Sequence, residues 1–334
     1  MKVGVTGGAG FIGGHVVDEL IRRGHEPVIF DHRARSFMSV GGDPSGRKWM
    51  KIHHNENLMV PVMLGDARDE TAVVELAAHV EGVIHLASVL GTQETVFNPR
   101  PAVMTNVVAG MNVMEAATQY RLPMVNICVG NAGMSNPYSA SKTCVESLGH
   151  MYRRDRGTRI NQVRVVNAYG PRQLMAAPYG PGKVRKIMPA FIGRSLTGSP
   201  IEVYGDGMQV SDCVHVADVA RALVKSLEHA ASGGVVPEVV EIGPSDHTAV
   251  RYVAQQVQRA ATDLGFSQPE PAIVNLPMRP GETPNARVTA DNSTLHLIGM
   301  DSAELIPLET GIADTAKWYA DNWLPEYLRE LKTR

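Results

Sequence analysis

Cysteine is scarce. Three cysteines, at 128, 144 and 213, are spread through 334 residues. So few, odd in number and scattered, they form neither a disulfide framework nor a zinc site, and a reducing compartment is expected. Excess charge is missing as well: 32 basic residues nearly balance 34 acidic ones, for a net charge of −2. No large positive field exists to hold nucleic acid or an anionic membrane surface. No run of 18 apolar residues occurs, so no membrane span is expected. The N-terminus lacks a signal-peptide pattern, its apolar residues leading straight into a glycine turn. Internal repeats, low-complexity stretches and long charge runs are absent, and the composition excludes fibrous, collagen-like and disordered classes. The twelve histidines show no metal-ligand spacing. His53 and His54 are adjacent, so on a regular element their side chains diverge. A soluble, cytoplasmic, metal-free protein is expected.

What is present is a chain long enough for two domains or one large α/β unit, with a sizeable core. Apolar spacing predicts strands at Lys2–Thr6, Pro27–Phe30, Val60–Leu64, Gly82–Leu86 and Pro123–Ile127. It predicts helices at Phe11–Arg23, Glu70–His79, Thr105–Tyr120 and Tyr138–Arg154, alternating with those strands. Such alternation implies an α/β fold: a Rossmann-type, doubly wound parallel sheet with its ligand at the carboxyl ends of the strands. Beyond residue 167 prolines and glycines cluster in loops, which predicts a smaller α/β substrate-binding domain. The expected division is 1–166, with a partial return at about 212–243, against 167–211 and 244–334.

The segment TGGAGFIG, from Thr6 to Gly13, lies between the first strand and the first helix. Gly7, Gly10 and Gly13 suit a turn at positive φ, a backbone approach to pyrophosphate and close helix–sheet packing, with Phe11 and Ile12 opening the helix. The helix start offers free N–H groups to phosphate. Asp31, 18 residues past Gly13, can bind the adenosine ribose hydroxyls and repel a 2′-phosphate, which favours NAD over NADP. Arg33 and Arg35 lie close by and could hold that phosphate instead. Further on, Tyr138 and Lys142 stand one helical turn apart on one face. A phenol is a poor base at neutral pH; an adjacent ammonium and a positive nicotinamide lower its pKa, so that it takes a proton while hydride leaves the same carbon.

With these motifs the chain resembles the extended short-chain dehydrogenase/reductase family, specifically its nucleotide-sugar epimerases and dehydratases. LGDARD at 64–69 resembles the family's adenine-binding turn, which implies Asp66 and Ala67 beside the adenine. HLAS at 85–88 resembles the strand-end motif beside the cofactor, with Leu86 and Ala87 in contact, and Asn106 and Asn112 stand where the family's next helix carries asparagines. YSASK at 138–142 resembles the catalytic Tyr-x-x-x-Lys, and VRVVNAYGPRQ at 163–173 the substrate-binding turn, implying Asn167 on the diphosphate or sugar and Arg172 shaping the pocket. RPGE at 279–282 resembles an Arg-Pro-Gly-Asp turn, implying Arg279 on the diphosphate and Glu282 on the nucleoside ribose. Thr92 and Glu94, after HLAS, are placed to reach the sugar.

Two departures matter. The family's Ser/Thr before the catalytic tyrosine is replaced by Cys128, Val129, Gly130 and Asn131. Asn131, Ser135 and Cys128 are the candidate substitutes; an amide can polarise a hydroxyl or ketone but relays a proton poorly. The family's arginine before Asp212 is Ser211, and Lys183, Arg185 and Lys186, or Arg279, are the candidates to supply the lost diphosphate contact. No Asp–Glu pair stands near Tyr138, which disfavours dehydration. The resemblance implies an NAD-dependent 4-epimerase of a UDP-sugar. The alternatives are a nucleotide-sugar dehydratase or reductase using Asn131, Cys128 or Glu94, and an NAD-bound sensor or scaffold without catalysis. It also implies a homodimer through helices 105–120 and 138–154.

Overall fold

Short apolar segments ending in glycine turns make the first half of the chain a wound sheet. In the computed structural model, which describes residues 1–32, 49–55, 58–244, 246–280, 282 and 285–333, the order begins β1 (Lys2–Thr6), α1 (Phe11–Arg22), β2 (Glu26–Asp31), β3 (Trp49–Asn55) and β4 (Leu58–Leu64). It continues with α2 (Glu70–Ala77), β5 (Gly82–His85), α3 (Thr92–Phe97), α4 (Pro99–Val103), a π-helical turn at Met104–Val108 and α5 (Ala109–Gln119). Then follow β6 (Met124–Val129), α6 (Pro137–Arg156), β7 (Ile160–Val165) and β8 (Asn167–Tyr169). Arg33 and Arg35 lie outside the described residues.

Eight strands form the main sheet: β3, β4, β2, β1, β5, β6, β7 and, returning late from the second half of the chain, β12 (Val240–Ile242). All pair in parallel except β3, which adds antiparallel to β4. The order reverses between β1 and β5, so the turns after Thr6 and His85 open side by side at the switch point where such sheets bind ligands. Val3, Val5, Ile84, Val125 and Val163 are buried to 0% along with Val16, Val17 and Leu20 of α1. Strands covered on both faces are continuous apolar runs for that reason.

The remaining elements are α7 (Ile187–Leu196), β9 (Ile201–Tyr204), β10 (Val210–Ser211), β11 (Cys213–His215), α8 (Val216–Ala231), α9 (Val250–Asp263), β13 (Ile273–Leu276), β14 (Arg287–Val288), α10 (Leu308–Trp318) and α11 (Leu324–Thr333). Helix α8 packs on α1 and the main sheet. The others build a second core in which Met188, Phe191, Ile192, Val253, Val257 and Ile312 are buried, with parallel pairs β9–β13, β8–β11 and β10–β14. His215 caps α8, accepting from the Ala217 N–H at 3.3 Å. Asp218, in the first turn of α8, accepts from the Ile306 N–H at 2.8 Å and pairs with Arg221. Among the described residues no helix is long and apolar enough to cross a membrane.

Candidate active site

The turn after β1 is tight enough to exclude side chains. Gly7 has φ +71°, and a Cβ there would lie 2.9 Å from the Ala87 nitrogen; one on Gly13 would lie 2.3 Å from the Gly7 carbonyl oxygen. Phe11 and Ile12 begin α1, whose cap residue Gly10 offers no side-chain acceptor, so the first N–H groups remain for a ligand. Asp31 ends β2, only 9% exposed, and accepts from the Ala9 N–H at 3.2 Å. The carboxylate is thereby fixed against the glycine turn. Asp66 forms a bidentate pair with Arg68, which holds its carboxyl below the usual range, and the buried Ala67 carbonyl accepts from Asn112 at 3.0 Å.

Thr6 ties the two turns together. Its hydroxyl accepts from the Leu86 and Ala87 N–H groups at 3.2 and 3.3 Å and shares a 2.7 Å hydrogen bond with the His85 ring. Burial, and secondarily the Lys142 ammonium, push His85 down to about 3, so it is neutral. Asn106 carries the link to α6: its carbonyl accepts from the Val89 N–H at 2.7 Å, and its amide donates to the Ser141 hydroxyl at 2.9 Å. The strand-end loop and the helix bearing Tyr138 and Lys142 are thus held in one frame.

Helix α6 starts at Asn136, whose side chain accepts from the Ser139 N–H at 2.9 Å, with Pro137 in the first turn. Tyr138 is half-buried and Lys142 is 3% exposed. Burial pushes the Tyr138 phenol up to about 12 and lowers the Lys142 ammonium. The phenolate therefore needs nearby positive charge. Cys128 points into the protein, its thiol against Gln162 and Asn126 at 3.6 Å, and burial pushes its pKa up, so it stays a thiol. Gly130 has no space for a side chain: a Cβ would come 2.7 Å from both the Val165 oxygen and the Val166 Cα. Asn131 is half-buried with its amide 3.3 Å from the Met134 sulfur, a weak acceptor. Ser135 is exposed.

Beside this site a cleft of about 1020 Å³, counting the part open to solvent, runs through the second lobe. Met134, Met175, Phe191 and Met278 give it apolar walls, and Arg185, Lys186, Arg194, Arg279, Glu202, Glu282 and Ser211 give it charge and polarity. Arg279 stacks on the Tyr204 ring at 4.7 Å and pairs with Glu282. Arg185 donates to the Tyr204 hydroxyl at 3.0 Å. Lys186 is open to the cleft, yet the protein around it lowers its pKa by desolvation, with Glu94 opposing. Thr92 and Glu94 lie on α3.

The structure thus brings Arg185, Arg279 and Glu282 to one cleft. Asn167 lies at its border, its amide donating to the Ser211 hydroxyl at 2.8 Å and the Asp212 carbonyl at 2.9 Å. Arg172 is directed elsewhere, to His15 at 2.9 Å and Asp18 at 2.5 Å on α1. Tyr204, Glu202, Arg194 and Met134 escaped the sequence reading. The alternation in IEVY was the available signal for the first two, whereas Arg194 and Met134 reach the cleft through tertiary packing alone.

The glycine turn that a Cβ would fill, the α1 N-terminus, the fixed Asp31 and the buried Lys142 together fit a dinucleotide. The sequence model of the NAD dependent epimerase/dehydratase family matches residues 3–243. The chain is 25% identical to a UDP-N-acetyl-alpha-D-glucosaminuronate decarboxylase of Bacillus cytotoxicus, over 95% of this chain and 97% of the relative. It is 28% identical to a dTDP-glucose 4,6-dehydratase of Neisseria meningitidis, over 96% and 94%. Among solved structures it resembles a Thermus thermophilus UDP-glucose 4-epimerase in complex with NAD, with a TM-score of 0.71, 27% identity and coverage of 96% and 100%. The chain belongs to the NAD dependent epimerase/dehydratase family, enzymes that epimerise, dehydrate or decarboxylate nucleotide sugars, and NAD is its cofactor.

Proposed function

We propose that this protein is a 4-epimerase of a nucleotide diphosphate sugar, with a UDP-sugar as substrate. One observation carries the reading. The segment 124–142, which walls the site beside Tyr138, contains no carboxylate, Cys128 is turned inward, and Gly130 has no space for a hydroxyl-bearing side chain. Loss of water demands a further base at C5 and acid at C6 of the sugar; oxidation and re-reduction at one carbon demands a single proton carrier.

Bound NAD supplies the acceptor and then the donor of one hydride at C4. Tyr138, ionised under the positive charge of Lys142, accepts the 4-hydroxyl proton as the ketone forms and returns it when the other face is reduced. Asn131 polarises the ketone oxygen, exchanging its weak sulfur contact for a better acceptor. Arg279, Arg185 and Asn167 hold the diphosphate, Glu282 the ribose, and Thr92 the sugar. Arg172 orders the loop above α1 rather than touching substrate. The Rossmann-type lobe, 1–166, carries the cofactor, and the later segments the sugar nucleotide. The chain works as a cytoplasmic homodimer through α5 and α6, on which Met111 and Met151 are 39% and 43% exposed.

The test is NMR of product mixtures from UDP-glucose, UDP-N-acetylglucosamine and UDP-glucuronate, with wild type and Tyr138→Phe. A C4 epimer from one substrate, lost in the Phe variant, is expected. Loss of water or CO₂, or turnover that survives the substitution, refutes the reading.

A further inference from the structure

Lys142 must remain a cation to stabilise the Tyr138 phenolate, and its surroundings work against that. It is almost wholly buried, and among the described residues its ammonium forms no hydrogen bond or ion pair. The groups packed around it are His85 on β5, Cys128 on β6, Tyr138 and Glu146 on α6, and Arg164 on β7, which neighbours Cys128. His85 and Cys128 are both uncharged at neutral pH, for the reasons given above. Glu146 is thus the anion of this shell.

Its placement is specific. Glu146 follows Lys142 by one turn on the same face of α6, and its side chain is only 12% exposed. One carboxylate oxygen pairs with Arg164 at 2.5 Å; the other is buried, with the Cys128 thiol as its neighbour. Arg164 is in turn paired with Glu241 on β12. Charges therefore alternate from Lys142 through Glu146 and Arg164 to Glu241, across three elements of the fold. A buried carboxylate is costly, and nothing in the packing of α6 on β7 requires one.

We propose that Glu146 is a positioning residue for the reaction: its buried carboxylate, one turn below Lys142, holds that lysine protonated, and Arg164 and Glu241 hold Glu146 in place. Burial and the Glu146 charge act on the lysine in opposite directions, the first lowering and the second raising its pKa. With Arg164 neutralising part of the carboxylate, the effect of Glu146 is reduced but not cancelled.

The experiment is a pH titration of full-length protein labelled with ¹³Cε-lysine, followed by NMR, with the Lys142 resonance identified by its loss in Lys142→Arg. Glu146→Gln is expected to lower the Lys142 midpoint, and Arg164→Gln to raise it. Glu146→Asp keeps the charge and holds the midpoint near wild type. A merely structural role for Glu146 moves no midpoint, or moves it alike in both charge-removing variants. An unchanged midpoint in Glu146→Gln, or shifts of the same sign, overturns the proposal. Should the Gln variant fail to fold, Glu146→Leu decides: a lowered Lys142 midpoint supports the proposal, and an unchanged one overturns it. The inference rests on reading Lys142 as the helper of Tyr138. Its readout is independent of turnover, so its failure and the failure of the epimerase reading are separately visible.

Discussion

Gly130 allows the site's departure from its family to be tested by restoring what is missing. Gly130→Ser returns a hydroxyl to the stretch before Tyr138, and Gly130→Ala returns only the carbon that carries it. In either variant the new Cβ meets the Val165 carbonyl oxygen and the Val166 Cα at 2.7 Å and the Val166 nitrogen at 3.1 Å. All three are backbone atoms, so no side chain can swing aside, and β6 must move against β7 at the end of their ladder. Overpacking of a tight interior costs about 1–3 kcal/mol, and a backbone clash belongs at the upper end. At roughly 2–4 °C per kcal/mol for a chain of this general size, a drop in melting temperature of about 5–10 °C is expected for both variants. Scanning calorimetry beside wild type measures it, and NMR turnover assays show whether the hydroxyl helps. Equal destabilisation by Ala and Ser, with no gain in rate for Ser, is the predicted result. A melting temperature within about 1 °C of wild type, or a Ser variant faster than wild type, would refute the claim that the fold excludes a hydroxyl there.

Three further outcomes follow from the geometry. Gly13→Ala, whose Cβ would sit 2.3 Å from the Gly7 oxygen, should weaken NAD binding about 100-fold, roughly 2.7 kcal/mol, in a fluorescence titration; undiminished affinity contradicts the phosphate-turn assignment. His15 and His85 are held down to about 4 and about 3, mainly by burial. Both take up protons on unfolding below their free value of about 6.5, so stability is full above that pH and falls as the solution is acidified, by up to about 2.7 kcal/mol per pH unit between pH 6 and 4. Urea unfolding at pH 7, 6 and 5 checks the slope, and a flat profile is incompatible with two buried neutral imidazoles. Arg279→Gln should raise the KM for the nucleotide sugar about 10–100-fold, the equivalent of one charged hydrogen-bonded contact, with kcat less affected; an unchanged KM places the diphosphate elsewhere.

Much of the fold was legible because its signals are local. β1, α1 and β2 follow from apolar runs broken by the glycine turn at 7–13 and by Gly24, and α6 from its place in the strand–helix alternation. The reading failed where tertiary context decides. β3 went unread because an edge strand that pairs antiparallel with β4 carries no clean apolar alternation in KIHHN. The helix expected at Thr105–Tyr120 actually continues back through a π turn to Pro99, since proline is tolerated in a first turn and its presence there argues for a helix start. In the site, the cofactor turn and the Tyr–Lys pair are compact motifs. The cleft is not: Arg194, Tyr204 and Met134 are far apart in the chain and converge only when α7, β9 and the loop after β6 pack together. Arg172 shows the converse. It has a positive φ of 67° and pairs with Asp18 on α1, a contact no spacing rule contains.

In the proposed reaction one hydrogen leaves C4 of the sugar and comes back to the same carbon. A UDP-sugar deuterated at C4, incubated with the enzyme in ordinary water and followed by NMR, tests it most directly. An epimer that keeps deuterium at C4 and retains every atom of the sugar is expected. Washout of the label into solvent during interconversion, or a product lighter by water or CO₂, would contradict it.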